Sequence, residues 1–355
     1  MKALFKLVFP MHHRHFSGRG PVALLAVLAL CLTACQPQPS AAGADARNRY
    51  EGFTARIDTL PLWPEGSLPN SKGLAVRDSV FGPRVFMVSK PWMDHFVPVT
   101  PALDSLQKGA PAVLIIPGGG YARLAYELAG DLLAKWFNSL GVHAFVLYHR
   151  LPHSPDLVRR EIGPLQDAQR ALRIIRARAD EWGIDPGKVG AMGCSAGGHL
   201  TGTVGTHRED VSSRAAAFGR SEEEAFAEDA FGYRPDFLIM VSPVVTLDLD
   251  LTHQGTRRNL LGDHPSDELV HAWSTHLTVD ETTPPALLIH ADNDPAVPSV
   301  NSVLFYSAMR AHHRPASLHV FPSGGHAISL EPQPGTTEFW PAIAKGWLEE
   351  MEMLP

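Results

Sequence analysis

The amino-acid sequence predicts an α/β protein with a mostly parallel central sheet and helices on both faces. Two observations carry this expectation. Unbroken apolar runs alternate along the body of the chain with longer segments of helical periodicity, and a strand without polar alternation must be buried on both faces. In addition, a tight glycine-flanked turn at 193–197 stands between one such run and one such helical segment, the setting of a strand-to-helix elbow.

The candidate strands are 113–117 (VLIIP), 143–148 (HAFVLY), 188–192 (KVGAM), 237–241 (FLIMV), 286–290 (ALLIH) and 317–321 (SLHVF). Helical segments are expected near 122–139, 164–182, 196–206, 301–312 and 339–352. Within 164–182, Leu165, Ala168, Leu172, Ile175 and Ala179 recur at three- and four-residue steps and mark one buried face. Shorter alternating runs over 54–97, including VFMVSKPWM, are expected to add antiparallel strands at one edge. Two segments break the rhythm. Residues 207–235 hold Glu222, Glu223, Glu224, Glu228 and Asp229 and read as a surface excursion with a solvated charged face. Residues 249–283 lack strand character. Either segment is a candidate for a small lid-like insertion.

Hydrophobic residues make up 45% and charged residues 19% of the chain, with a net charge of −6. This is the balance of a globular protein and argues against a nucleic-acid partner. At the front, Lys2, Lys6, Arg14 and Arg19 precede the apolar run 21–34, which falls short of the ~20 residues needed to cross a bilayer. Residues 1–34 therefore read as a secretory signal peptide. Leu32-Thr33-Ala34-Cys35 resembles a bacterial lipobox, which makes Cys35 the expected lipid-attachment site. Gln36 after it points to the periplasmic face of the outer membrane. Residues 35–52, rich in Pro, Ala, Ser and Gly, read as a flexible tether, and 53–355 as the catalytic domain. With Cys31 lost and Cys35 acylated, Cys194 is left alone, so no intramolecular disulfide is expected.

Gly193-Cys194-Ser195-Ala196-Gly197 matches the G-x-S-x-G pattern and makes Ser195 the candidate nucleophile. Gly118-Gly119-Gly120-Tyr121 follows the strand 113–117. Its backbone N–H groups, with that of Ala196, suit the charge that develops on a tetrahedral oxygen. No Gly-Lys-Ser/Thr follows, which disfavours a phosphate loop. An acid and a base are expected after the serine, in that order. Asp294 follows the strand 286–290 and is the first choice of acid, with Asp292 in reserve. His326, after Gly324-Gly325 and the last strand, is the base. The chain has 18 histidines; position alone singles out His326. Tyr121, Trp92 and Trp273 are candidates to line a substrate cleft.

These motifs together, with HADNDPAVPSVNS and GGHAISL, resemble the BD-FAE-type esterase/lipase group of α/β-hydrolases. The likeness extends to LPLWPEGSLPN, ADEWGIDPGKVG and NLLGDHPSDELVHAWS, and so spans about residues 59–350. It implies the α/β-hydrolase fold and activity like that of acetyl xylan esterases and related carbohydrate esterases. The family's D-D-P-V-V-P pattern places the acid on Asp294, and its oxyanion donors fall on Gly119, Gly120 and Ala196. Pro117 stands where hormone-sensitive-lipase relatives carry a histidine. The likeness further implies that Arg150 and Asp167 pair in the interior beneath the nucleophile turn. The expected substrate is a small ester or an acetylated oligosaccharide. A general carboxylesterase for lipophilic esters, a serine peptidase and a non-catalytic binding protein are the alternatives. No His-Glu-x-x-His, paired Cys-x-x-Cys or dinucleotide loop is present, so neither metal nor cofactor is expected.

Overall fold

A computed structural model describes residues 48–99, 109–218, 225–326 and 328–354. The leader, Cys35, most of the tether and Glu222, Glu223 and Glu224 lie outside the described residues. Ten strands are seen among those described: β1 (Thr54–Pro61), β2 (Ser79–Val80), β3 (Val85–Met87), β4 (Trp92–Pro98), β5 (Ala110–Ile116), β6 (His143–Tyr148), β7 (Ile184–Cys194), β8 (Leu238–Val241), β9 (Ala286–Ala291) and β10 (Ala316–Phe321). Eight of them form one sheet in the order β1-β4-β6-β5-β7-β8-β9-β10. From β6 to β10 every neighbouring pair is parallel. β4 runs antiparallel to both β6 and β1, so the antiparallel strands expected from 54–97 do form one edge.

The longer helices are α1 (Leu132–Ser139), α2 (Ile162–Ala177), α3 (Ala196–Thr206), α4 (Gln254–Leu261), α5 (Val300–Ala311) and α6 (Trp340–Glu350). Successive residues of β5 serve opposite faces of the sheet, as the period of two requires. Ala112, Leu114 and Ile116 pack with Leu172 of α2, Leu200 of α3 and Phe305 of α5. Val113 and Ile115 pack with Phe137 of α1 and Trp340 and Leu348 of α6. Both faces of β5 are buried, which is why its sequence is continuously apolar.

The helix expected from 122 begins only at Glu127, as a π-helical turn to Asp131 that runs into α1. The residues before it are committed elsewhere. Leu124 exchanges backbone hydrogen bonds of 2.8 and 3.0 Å with Val85 of β3, which removes it from any helical ladder.

A second correction concerns 207–235. The expected face of α2 packs inward, with Leu165, Ala168, Leu172 and Ile175 buried. An adjoining face carries Arg170, Arg173 and Arg176, which are buried as well. The insertion lies across them. Arg170 pairs with Glu228 at 2.9 Å, Arg173 pairs with Asp210 at 2.7 Å, and Arg176 donates to the Gly232 carbonyl at 2.9 Å and pairs with Asp236, just past the insertion, at 2.9 Å. Arg173 also donates to the carbonyls of Asp229 and Phe231 at 2.6 Å. Three arginines spaced by three fall on one helical face and present a fork of donors to the covering chain. The described part of the segment is a strap on α2, not a lid.

The Arg150–Asp167 pair is formed at 2.7 Å with both side chains out of solvent. Asp167 also accepts from Trp63 Nε1 at 2.9 Å, and Arg150 donates to the Pro69 carbonyl and to Gln166. The pair thus fastens the 63–69 segment onto α2. Arg150→Met leaves a buried carboxylate without its guanidinium and should cost about 3–5 kcal/mol. Urea denaturation measures this; a loss under about 1 kcal/mol, as for an exposed pair, would contradict it.

Candidate active site

The chain leaves β5 towards β6 on one side and returns to β7 on the other. The order of the sheet reverses there, and a crevice opens at the C-terminal ends of the strands. Gly118 to Gly120 follow β5, and Ser195 follows β7. Ser195 is held at φ 57° and ψ −121°, a region costly for a residue with a side chain. Its N–H donates to the Val241 carbonyl at 3.0 Å, and its own carbonyl accepts from His199 and Val244 at 3.1 Å. A Cβ on Gly197 would lie 2.0 Å from the Ile116 carbonyl oxygen, so the α3 end of the elbow must be glycine.

Three expected residues meet here. His326 Nε2 is 2.8 Å from Ser195 Oγ, and His326 Nδ1 is 2.7 Å from Asp294 Oδ2. Gly324 and Gly325, both at positive φ, carry the turn to His326, and the Gly325 N–H donates to Asn293. Asp294 has no exposed side-chain surface. Burial alone would raise its pKa, but hydrogen bonds outweigh it: His290, His326 and the N–H groups of Val297 and Ala296 hold the carboxyl well below the usual range. The reserve residue, Asp292, instead accepts from Ser299 Oγ at 3.0 Å and does not reach the histidine.

The glycine loop is fixed through its carbonyls. Those of Gly118, Gly119 and Gly120 accept from Ala125 N–H (2.9 Å), Ala122 N–H (3.1 Å) and Asn259 Nδ2 (2.7 Å). The N–H groups of Gly119, Gly120 and Ala196 take part in none of the described turn and loop hydrogen bonds. Gly119 sits at φ 142°, and a Cβ there would fall 2.2 Å from the Arg123 carbonyl oxygen. Pro117 in place of histidine leaves this backbone arrangement in place.

A cavity of about 600 Å³ opens over Ser195 and His326, within the range of small-molecule sites. Leu128, Leu133, Ile328 and Trp340 supply apolar wall, and Arg84, Arg123 and His253 supply polar groups. The 249–283 segment thus contributes to the site, through His253, Gly255 and Asn259, whereas the described residues of 207–235 do not line it. None of the three aromatic residues expected in the cleft lines it. Tyr121 is buried with its hydroxyl 3.0 Å from His199 Nδ1. Trp92 stacks on Tyr148 at 4.3 Å, and Trp273 is buried beside His207. Burial pushes the Cys194 thiol up to about 12, so it does not compete as a thiolate.

Two further histidines stand at the site. His290 is fully buried, with Nε2 3.0 Å from the Val297 carbonyl and 3.4 Å from Asp294. His253 stands at the cavity wall, before α4. His290 opens the HADNDPAVPSVNS segment, whereas His253 lies in none of the quoted motifs. Their roles come from which turns the sheet brings together.

The sequence profile of the BD-FAE family matches residues 102–309, more than half of the chain. The protein belongs to the BD-FAE family. This BD-FAE protein is 33% identical over 223 residues to an acetylxylan esterase of Xylanibacter ruminicola, a match covering 62% of this chain and 41% of that protein. It is 35% identical over 218 residues to the endo-1,4-β-xylanase B of Butyrivibrio fibrisolvens, covering 61% of this chain and 32% of that one. The chain therefore spans less than half the length of these two relatives. A solved acetyl ester-xyloside bifunctional hydrolase from Caldicellulosiruptor lactoaceticus is 31% identical and covers 86% of this chain and 100% of its own, with a TM-score of 0.68. The fold is that of the α/β-hydrolases.

Proposed function

We propose that this protein is a serine esterase that removes short acyl groups, acetyl above all, from carbohydrate alcohols. The observation that carries this reading is the continuous hydrogen-bonded relay from Ser195 Oγ through His326 to the buried Asp294. His326 takes the Ser195 proton as Oγ attacks the ester carbonyl, and Asp294 stabilises the imidazolium. The N–H groups of Gly119, Gly120 and Ala196 hold the oxyanion. His326 then protonates the departing alcohol, and water repeats the sequence to release the acid.

The carbohydrate part of the proposal draws support from the relatives named acetylxylan esterase and acetyl ester-xyloside hydrolase. A lipophilic carboxylesterase is the second reading, favoured by the apolar wall of Leu128, Leu133, Ile328 and Trp340. A peptidase would need an acidic anchor for a peptide terminus. Glu228, a candidate for that part, is occupied with Arg170 on α2.

Specificity constants for aryl acetate, butyrate and octanoate, together with acetate release from acetylated xylooligosaccharides, separate the first two readings. Activity is expected to fall as the acyl chain lengthens, with acetate released from the sugar. A preference for octanoate without acetate release would overturn the carbohydrate reading, since each accommodated methylene favours the longer chain by about 1–3 kcal/mol. For the relay itself, Asp294→Asn should lower kcat by about 10⁴ through loss of the imidazole's orientation. Asp292→Asn should stay near the parent rate, and the reverse pattern would transfer the role to Asp292.

A further inference from the structure

We propose that His253 is a positioning residue whose Nε2–H hydrogen-bonds an oxygen on the carbohydrate part of the substrate, an inference that rests on the esterase reading above. The first observation is its tautomer. His253 caps α4, and its Nδ1 accepts the Thr256 backbone N–H at 3.1 Å. A ring nitrogen that accepts an N–H holds no proton, so the neutral imidazole carries its hydrogen on Nε2. Charging the ring would put a proton on Nδ1 and break the cap. Burial and the neighbouring His326 both oppose that charge, and they outweigh the attraction of Asp294.

The second observation is that this proton is unclaimed in a residue that lines the cavity. Nε2 has no hydrogen-bond partner among the described residues, and the ring stands at the cavity wall beside the glycine loop. His253 Cε1 lies 3.4 Å from where a Cβ on Gly120 would be, and 2.9 Å from one on Gly255. The ring occupies a slot that two glycines keep open. Helix α4 is held in register with that loop, since Asn259 Nδ2 donates to the Gly120 carbonyl at 2.7 Å. Arg160 in turn donates to the Asn259 carbonyl at 2.8 Å.

The third is the chemistry of the wall. Arg84, Arg123 and His253 all offer donors, and among the described residues no carboxylate lines the cavity. Such a surface reads acceptor oxygens, which a sugar presents on its ring and hydroxyls and a simple aryl ester lacks next to the reacting bond. His253 shares the cavity lining with His326, the group that protonates the departing alcohol in the proposed reaction.

The test uses His253→Asn and His253→Ala. Asparagine is a strong helix cap but too short to return a donor to the cavity, so it separates capping from substrate contact. Binding of acetylated xylooligosaccharide is measured by calorimetry in Ser195→Ala protein, alongside kcat and KM for that substrate and for aryl acetate in otherwise unaltered protein. His253→Asn is expected to keep the parent melting temperature, weaken oligosaccharide binding up to about tenfold, and raise KM for the oligosaccharide more than for aryl acetate. His253→Ala should match it in binding but melt lower. Parent-like oligosaccharide binding by His253→Asn would reduce the residue to a cap. Equal losses on both esters, or no oligosaccharide binding by Ser195→Ala protein, would also overturn the proposal. Failure of the esterase reading appears differently, as absent turnover of both esters, and the calorimetric comparison still decides the role of His253.

Discussion

Where the chain leaves β7, Ser195 is held at φ 57° and ψ −121°, a conformation that costs about 1–3 kcal/mol for a residue with a side chain. It persists because the backbone is tied on both sides, to Val241 of β8 and to Val244 beyond it. The same turn brings Gly197 so close to the end of β5 that a single methyl group would collide with the Ile116 carbonyl. Two consequences follow. Ser195 Oγ stands clear of the sheet, and the glycine loop after β5 lies next to it. The cavity, the relay and the proposed oxyanion donors all depend on this close approach at the point where the strand order reverses.

The charges around that point follow one rule. A buried ion is tolerated where every lone pair or proton finds a partner. Asp294 receives two backbone N–H groups at 2.8 and 2.9 Å in addition to His326, so it stays a carboxylate in a dry site. Asp167 is satisfied in the same way by Arg150 and Trp63. The outer face of α2 follows the pattern less completely, with three arginines clamped under a strap that supplies carboxylates and carbonyls, while Arg170 Nη1 reaches Asp229 only at ion-pair distance, 3.7 Å. These networks position the scaffold; only the Asp294 network reaches the reacting atoms.

The sheet and most helices were legible because central strands buried on both faces are continuously apolar, as β5 and β8 are, or nearly so. Ser195, Asp294 and His326 were legible because each follows a strand in the order that this fold requires. What the sequence hid has physical causes. Arg170, Arg173 and Arg176 look like a solvated helical face, and nothing local shows that residues 207–235 fold over them. The helix expected from 122 starts late because Leu124 pairs with Val85, a contact between segments far apart in the chain. Tyr121, Trp92 and Trp273 were assigned to the cleft by proximity to motifs, yet each packs against another ring or a buried histidine. Trp340 and His253 reach the cavity from positions that lie in none of the quoted motifs.

The most direct test of Ser195 as nucleophile is reaction with a fluorophosphonate probe followed by peptide mass mapping. Attack by an activated serine hydroxyl displaces fluoride and leaves a covalent phosphonyl ester. One adduct is expected on the native protein, on Ser195, with labelling lost in His326→Ala and after unfolding. An adduct on a different residue, or labelling of Ser195 that persists without His326, would contradict the relay on which the proposed activity rests.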